Sequence, residues 1–354
     1  FYVTEHFHTS ESQTGLVLAS YIIATLLIRP FSGYIVDGFS RKKVYIIAYL
    51  FFIFVYFGYM VASTLTLFVL ARMFHGLTWG VITTSSSTVA IDVIPSSRRG
   101  EGIGFFGLMS TLAMSAGPFL GLYLYDNYDF NYNFYATILF GCIGLLFASL
   151  IRLPKRECVE RPPLSFDRFL LKPTIPIGIN LLFIAIGYGA LFTYAAKFGK
   201  QIGIENTGLF FLFTALGMTL TRLFAGRLID KGYLKQMLFA SILGYTAFGF
   251  AQEIIMFLVS AFTIGFGFGT ATPTFQTMFV NMAKSDQRGT ANSTFFTFYD
   301  LGIGFGMIIS GYIANLFPND FGKLFVISGA IAALGLFYYY FVSLKVYEKK
   351  KLMN

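Results

Sequence analysis

The sequence predicts an all-α membrane protein built from two helical halves of one architecture. Three observations carry that expectation. First, the 354-residue chain is 56% hydrophobic and only 12% charged, whereas a soluble domain carries roughly 25% charge. Second, the apolar runs are continuous and about 20 residues long, the length a helix needs to cross a bilayer, while barrel strands would alternate over about ten. Third, a charged pattern occurs twice. Arg29-x-x-x-Gly33-x-x-x-Asp37 closes one apolar run, and Arg222-x-x-x-Gly226-x-x-x-Asp230 closes another 193 positions later. Arg99-Gly100 and Arg288-Gly289 each open an apolar run, 189 positions apart. Two echoes at nearly one offset imply a repeated half.

Eleven apolar helices follow in order. The first, 15–36, ends on the first Arg–Gly–Asp pattern, and 44–62 starts after Arg41-Lys42-Lys43. Helix 66–93 carries Arg72, His75 and the run Thr83–Thr88; 102–124 opens after Arg99-Gly100; 134–152 ends at Arg152. The segment from Pro154 to Pro173, rich in proline and mixed charge, reads as a linker with an amphipathic stretch at Phe166–Leu171. The second half holds 174–196, 207–229 with the repeated pattern, 237–252, 255–283, 290–316 and 324–344. Gly265-x-Gly267-x-Gly269 mimics a nucleotide fingerprint but falls in an apolar helix, where glycine serves packing. The chain thus divides into 1–153, a linker 154–173, and 174–354. Projecting 207–229 back by the repeat makes Phe1-Tyr2-Val3 the last turn of a further first helix, so that the full plan is six plus six.

Loop charge sets the orientation. Twenty basic residues gather in one alternate set of loops, at 41–43, 98–99, 152–172, 227–235, 284–288 and 345–351, against Lys197, Lys200 and Lys323 in the other. Positive-inside bias places the first set and the C-terminus in the cytoplasm. The net charge of +9 is spread among these loops, so it does not point to nucleic acid. Cys142 lies in an apolar run and Cys158 in a basic loop, which suggests neither a disulfide nor a metal site, and no phosphate-binding loop suggests ATP drive or another cofactor. Most of the 44 Phe and 22 Tyr read as lipid-facing or belt residues.

Several polar residues stand out physically. A spacing of four keeps Arg29, Gly33 and Asp37 near one helix face. Asp37 sits at a helix C-terminus, where the macrodipole disfavours negative charge. Its compensation is expected from Arg41, Lys42 and Lys43, or better from the free N–H groups at the start of helix 290–316. Such a clamp would act as a cytoplasmic gate, with Gly226 and Asp230 as its repeat. Asp92, near the cytoplasmic end of its helix, is expected to pair with Arg98 and Arg99. Arg72, His75, Gly76 and Trp79 share a face of their helix, and an arginine within hydrocarbon needs a cavity or a partner. Asp300 falls near the midplane, where a carboxylate is a functional candidate by default. Pro118 removes a backbone bond to Met114 and bends its helix, flanked by Gly117 and Gly121. Trp79, Asn180, Tyr188, Tyr194, Gln276 and Asn292 are candidates to line a substrate cavity.

These residues carry a family resemblance. Gly33-Tyr34-Ile35-Val36-Asp37-Gly38-Phe39-Ser40-Arg41-Lys42 resembles the motif between the second and third helices of the major facilitator superfamily. Asp37, Arg41 and Lys42 match, while Gly38 and Ser40 stand where a basic residue and a glycine are usual. Gly226-Arg227-Leu228-Ile229-Asp230-Lys231 looks like a degenerate second copy. Arg72-x-x-His75-Gly76 resembles the fourth-helix motif of proton-coupled exporters, with His for Gln, and Gly117-Pro118-Phe119-Leu120-Gly121 resembles the fifth-helix motif of superfamily antiporters. The resemblance implies a 6+6 bundle, a monomer in the inner membrane of a bacterium, and alternating access. It also implies that Arg72 is linked to proton transfer in the export of a small amphipathic or hydrophobic compound, with Asp300, by its midplane position, and His75, by its shared helix face, as further proton-coupling candidates. Uptake of a sugar, nucleoside or other metabolite by a symporter of the same fold stays open. A membrane enzyme or receptor would need a catalytic cluster that the sequence does not offer.

Overall fold

In hydrocarbon every backbone N–H and C=O must be satisfied within the protein, which leaves a continuous apolar run little choice but helix. The computed structural model describes residues 2–9, 11–153, 169–230, 234–317 and 320–350. Among them are a short helix α1 (Tyr2–Phe7) and eleven long ones: α2 (Glu11–Gly38), α3 (Arg41–Val61), α4 (Leu65–Val93), α5 (Arg99–Asn127), α6 (Asn131–Leu150), α7 (Ile175–Gln201), α8 (Leu209–Asp230), α9 (Leu234–Gly249), α10 (Ile254–Asn281), α11 (Arg288–Leu316) and α12 (Phe321–Tyr338). A π-turn, Tyr339–Ser343, joins α12 to a last helix α13 (Leu344–Lys350). Seven of these spans are long and apolar enough, on their described residues, to cross a membrane. The linker 154–168, including the start of the amphipathic stretch at Phe166, lies outside the described residues.

The helices outrun the apolar segments at their charged ends. Asp37 falls inside α2, and α5 and α11 begin at Arg99 and Arg288, before the apolar residues start. Each of those two is preceded by a 3-10 turn, Ser96–Arg98 and Ser285–Gln287, again 189 positions apart. Pro176 in the first turn of α7 costs no hydrogen bond, because that N–H has no intrahelical partner in any case. Asp320 caps α12 by accepting from the Lys323 N–H at 3.3 Å.

The chain forms two compact units. One comprises Phe1–Val93, Gly117–Leu170 and Ser285–Thr294; the other comprises Ile94–Ala116, Leu171–Lys284 and Phe295–Asn354. In the first, α2 packs along α4, and α3 packs against α4 and α6. In the second, α8 and α9 pack along α10, and α12 packs against α7 and α9. The closest helix pairs meet at glycines. A Cβ on Gly76 of α4 would strike the Tyr21 carbonyl of α2, and a Cβ on Gly265 of α10 would strike the Thr214 carbonyl of α8. These glycines, too, are 189 positions apart, and small residues are what let membrane helices approach backbone to backbone. Away from the charged ends the packing is aromatic: Tyr59, Phe68 and Phe134 in the first unit, and Phe198, Phe210, Phe248, Phe257 and Phe325 in the second.

Candidate functional site

Asp37 lies in the last turn of α2 with its side chain fully buried. A carboxylate there is opposed by burial and by the partial negative charge of its own helix end. The start of α11 supplies the compensation. The Asp37 carboxylate accepts from the Gly289 N–H at 2.8 Å, the Thr290 N–H at 2.7 Å and the Thr290 hydroxyl at 2.8 Å. Arg41 adds a fourth donor at 3.2 Å. A hydrogen bond to a charged group contributes about 1.5–3 kcal/mol, so four of them can balance a desolvation cost of several kcal/mol.

Arg41 extends the cluster. It forks onto both oxygens of Asp92 at 2.6 Å and donates to the Ser285 carbonyl at 2.7 Å. Arg288 donates to the same Asp92 at 2.9 Å. The expected pairing of Asp92 with Arg98 and Arg99 is not what forms. Arg98 instead pairs with Glu101, three residues on in the first turn of α5, and Arg99 bonds Asn281. Asp92 is within reach of two arginines already anchored at α3 and α11, while Arg98, in the 3-10 turn, has a carboxylate three residues on in the first turn of α5. Lys42 donates to the Ile151 carbonyl at 2.7 Å, and so ties α3 to the end of α6.

A layer of neutral bonds lies deeper. Arg29 is 1% exposed and donates to the Gly80 carbonyl at 3.2 Å and the Thr83 hydroxyl at 2.5 Å. Its own carbonyl accepts from Ser293 of α11. Asn292, expected in a cavity, is fully buried in this layer. It accepts from Ser87 at 3.2 Å and donates to Thr88 at 3.1 Å. Gly33 makes the approach of α11 possible, because a Cβ there would lie 2.8 Å from both Ser293 Cβ and Thr290 Cα. A Gly33→Ala variant must push α2 and α11 apart. It is expected to lose about 1–3 kcal/mol, as overpacked sites do, read as a lower unfolding midpoint in detergent.

The repeat supplies a related cluster in the other unit. Arg222 of α8 donates to the Gly107 carbonyl and the Thr111 hydroxyl of α5, and to Thr272 of α10 at 3.2 Å. Thr272 stands 189 positions after Thr83, so the two arginines hold matching helices by matching groups. Arg99, 3% exposed, donates to Asn281 at 2.5 Å, and Asn281 donates to the Tyr347 hydroxyl of α13 at 3.0 Å. The same offset carries Arg288 to Arg99 and Asp92 to Asn281. The matching contact is therefore guanidinium to carboxylate in the first copy and guanidinium to amide in the second. Gly226 and Asp230 belong to α8, but their surroundings lie outside the described part of the structure.

The remaining candidates are dispersed. Arg72 donates to the Val17 carbonyl at 2.9 Å and sits 5.5 Å from the Tyr21 ring centre. His75 Nδ1 lies 2.9 Å from the Tyr59 hydroxyl, with the rings of Tyr21, Phe52 and Tyr56 around it. Trp79, also on α4, packs on Phe52 and is partly open. Asp300 is half-buried midway along α11. Asn180 is buried and donates to the Gly335 carbonyl at 2.7 Å, which ties α7 to α12. Tyr188 stacks on Phe268, Tyr194 packs on Phe321, and Gln276 is buried in α10. Gly117 and Gly121 lie within the continuous α5. The chain passes from one compact unit to the other at Gly117, and a Cβ there would meet nothing within 4 Å. The Pro118 side chain is outside the described part.

The chain that carries this clamp is matched by the family model of the Major Facilitator Superfamily over residues 1–242 and again over 177–352. The chain belongs to the Major Facilitator Superfamily. It is a multi-pass membrane transporter of that superfamily and not an enzyme. Its relatives include the staphylopine export protein of Staphylococcus aureus, 21% identical over 85% of this chain and 80% of that protein. The quinolone resistance protein NorA of the same species is 23% identical over 86% and 81%. A probable sugar efflux transporter of Helicobacter pylori is 24% identical over 97% and 89%. Among solved structures, the proton:xylose symporter XylE superposes with a TM-score of 0.78 at 15% identity, over 96% of this chain and 89% of that one. The human organic anion transporter MFSD10 gives 0.78 at 17% identity, over 95% and 87%.

Proposed function

We propose that this superfamily member exports a small amphipathic or hydrophobic compound in exchange for protons. It would do so as a monomer in a bacterial inner membrane with its C-terminus in the cytoplasm. The transport halves are 1–153 and 174–354, joined by the linker 154–173, and they alternate access to a site between them. The observation that carries the gating is the seat of the Asp37 carboxylate on the first two N–H groups of α11. Those bonds need α2 and α11 in one relative position. They form in one state of the cycle and break in the other, with Asp37, Arg41 and Arg288 as the moving contacts. Gly117-Pro118 supplies a bend at which α5 can flex. The export direction is supported by relatives whose names specify export, efflux or drug resistance.

Proton coupling is assigned to Asp300 with Arg72 and His75. Asp300 lies midway along α11, the helix whose first turn Asp37 holds, so a change of charge there acts on the helix that gates. Proton-driven efflux from vesicles is expected to collapse in an Asp300→Asn variant of normal abundance. Full coupled transport in that variant would remove Asp300 from the mechanism. A symporter working in the uptake direction is the second reading. An imposed proton gradient with substrate on one side distinguishes the two by the sign of the flux.

A further inference from the structure

The end of α12 carries a feature that gating does not use. Tyr339–Ser343 form a π-turn, and such widened turns are frequent at functional sites. The turn is held in place: the Ser343 hydroxyl donates to the Pro176 carbonyl at 3.3 Å, and Tyr339 is fully buried. Tyr340 and Phe341, within the turn, are 41% and 56% exposed. With Ala333, Leu336 and Phe337 they form a groove of about 410 Å³ that ends at Lys345.

Every described lining residue comes from α12, the π-turn or α13, so these residues lie along one flank of a single membrane-length stretch. A water-soluble ligand would be poorly enclosed there, since small-molecule sites bury roughly 70–90% of their ligand. A groove of aromatic and aliphatic groups facing hydrocarbon suits an acyl chain. Its charged end suits a phosphate. The Lys345 ammonium lies 6.0 Å from the Phe341 ring centre, at the mouth of the groove. Lys349, one helical turn further, shares its face, and Lys350 is adjacent, with Glu348 the acid among them. Lysines at the end of a membrane helix extend toward the headgroup layer and favour anionic lipid.

We infer that this groove is a site for one anionic phospholipid, with an acyl chain along Leu336, Phe337 and Phe341 and the headgroup phosphate between Lys345 and Lys349. The test uses the full-length transporter in mild detergent, exchanged into phosphatidylglycerol or phosphatidylcholine of matched chains, with bound lipid counted by native mass spectrometry. The wild type is expected to retain at least fivefold more phosphatidylglycerol. A double variant, Lys345→Glu with Lys349→Glu, is expected to lose that preference, and Ala333→Trp, which fills the groove, to reduce retention of both lipids. Lys284→Glu, in a separate basic loop, is expected to leave the preference intact. Equal retention of the two lipids by the wild type overturns the site. So does an unchanged preference in the double variant, unchanged retention in Ala333→Trp, or an equal loss in Lys284→Glu.

Discussion

An Asp37→Ala variant is expected to lose at least tenfold in initial transport rate while still inserting in the membrane. The carboxylate takes two backbone N–H bonds, a hydroxyl and a guanidinium in one buried place. Its removal leaves the first N–H groups of α11 facing a void and takes one anion from beside Arg41. Deleting one member of a buried ion pair costs about 3–5 kcal/mol. If the clamp helps to balance two states of a cycle, that cost shifts their populations by more than a hundredfold, since about 1.4 kcal/mol is tenfold. Asp37→Glu keeps the charge but adds a methylene where Gly289 and Gly33 leave no room, so an intermediate rate is expected. The check is a transport time course on variants matched for abundance and for elution as a single species. A wild-type rate in Asp37→Ala would show that the clamp does not govern the cycle.

The second large effect is expected at Asp92. It serves Arg41 through both oxygens and Arg288 through one. An Asp92→Asn variant leaves one buried and one half-buried guanidinium group sharing Asp37, a backbone carbonyl and one amide. Charge-assisted bonds are roughly twice as strong as neutral ones, so a loss of about 3 kcal/mol or more is expected, of the kind seen when a buried pair is broken. It would be read as a lower unfolding midpoint together with a severalfold slower transport rate. The repeat offers the reciprocal experiment. Asn281→Asp puts a carboxylate at the Arg99–Asn281 contact, as Asp92 does for Arg288, and is expected to raise the midpoint while also slowing transport, because that one contact becomes ionic. A rise in both midpoint and rate would contradict the idea that these contacts must break in each cycle.

The placement of helices was legible because a bilayer allows few alternatives. Eleven apolar runs became eleven long helices, and the errors lie at ends such as Asp37 and Arg99, where charge made the helix look finished too early. Arg29, Gly33 and Asp37 were legible for a different reason: they recur at a fixed offset. The start of α11 as the partner of Asp37 was legible from its free N–H groups, but the partners of Arg29 were not. Ser293 and Thr83 look like ordinary membrane-helix hydroxyls, which usually bond their own backbone. Asn292 read as cavity lining, since a buried amide in sequence says only that it needs partners, not where they are. Asp92 was assigned to the nearest cations along the chain, although its partners come from α3 and α11. The signal that could have found them is the 189-residue offset itself, which pairs Asp92 with Asn281 and Arg288 with Arg99.

Hydropathy by itself determined that the chain is helical and spans a membrane repeatedly, and the recurring Arg–Gly–Asp and Arg–Gly patterns determined that it is internally duplicated. The first follows from segment length and desolvation, which depend only on neighbouring residues, and the second from a fixed spacing along the chain. Tertiary structure alone decided which groups surround Asp92 and Arg29, and that Arg288 meets the Asp92 carboxylate where Arg99 meets the Asn281 amide. Such pairing depends on which helices are brought within about 3 Å, the reach of a hydrogen bond, across sequence gaps of 252 and 182 residues. Only a folded chain sets those distances.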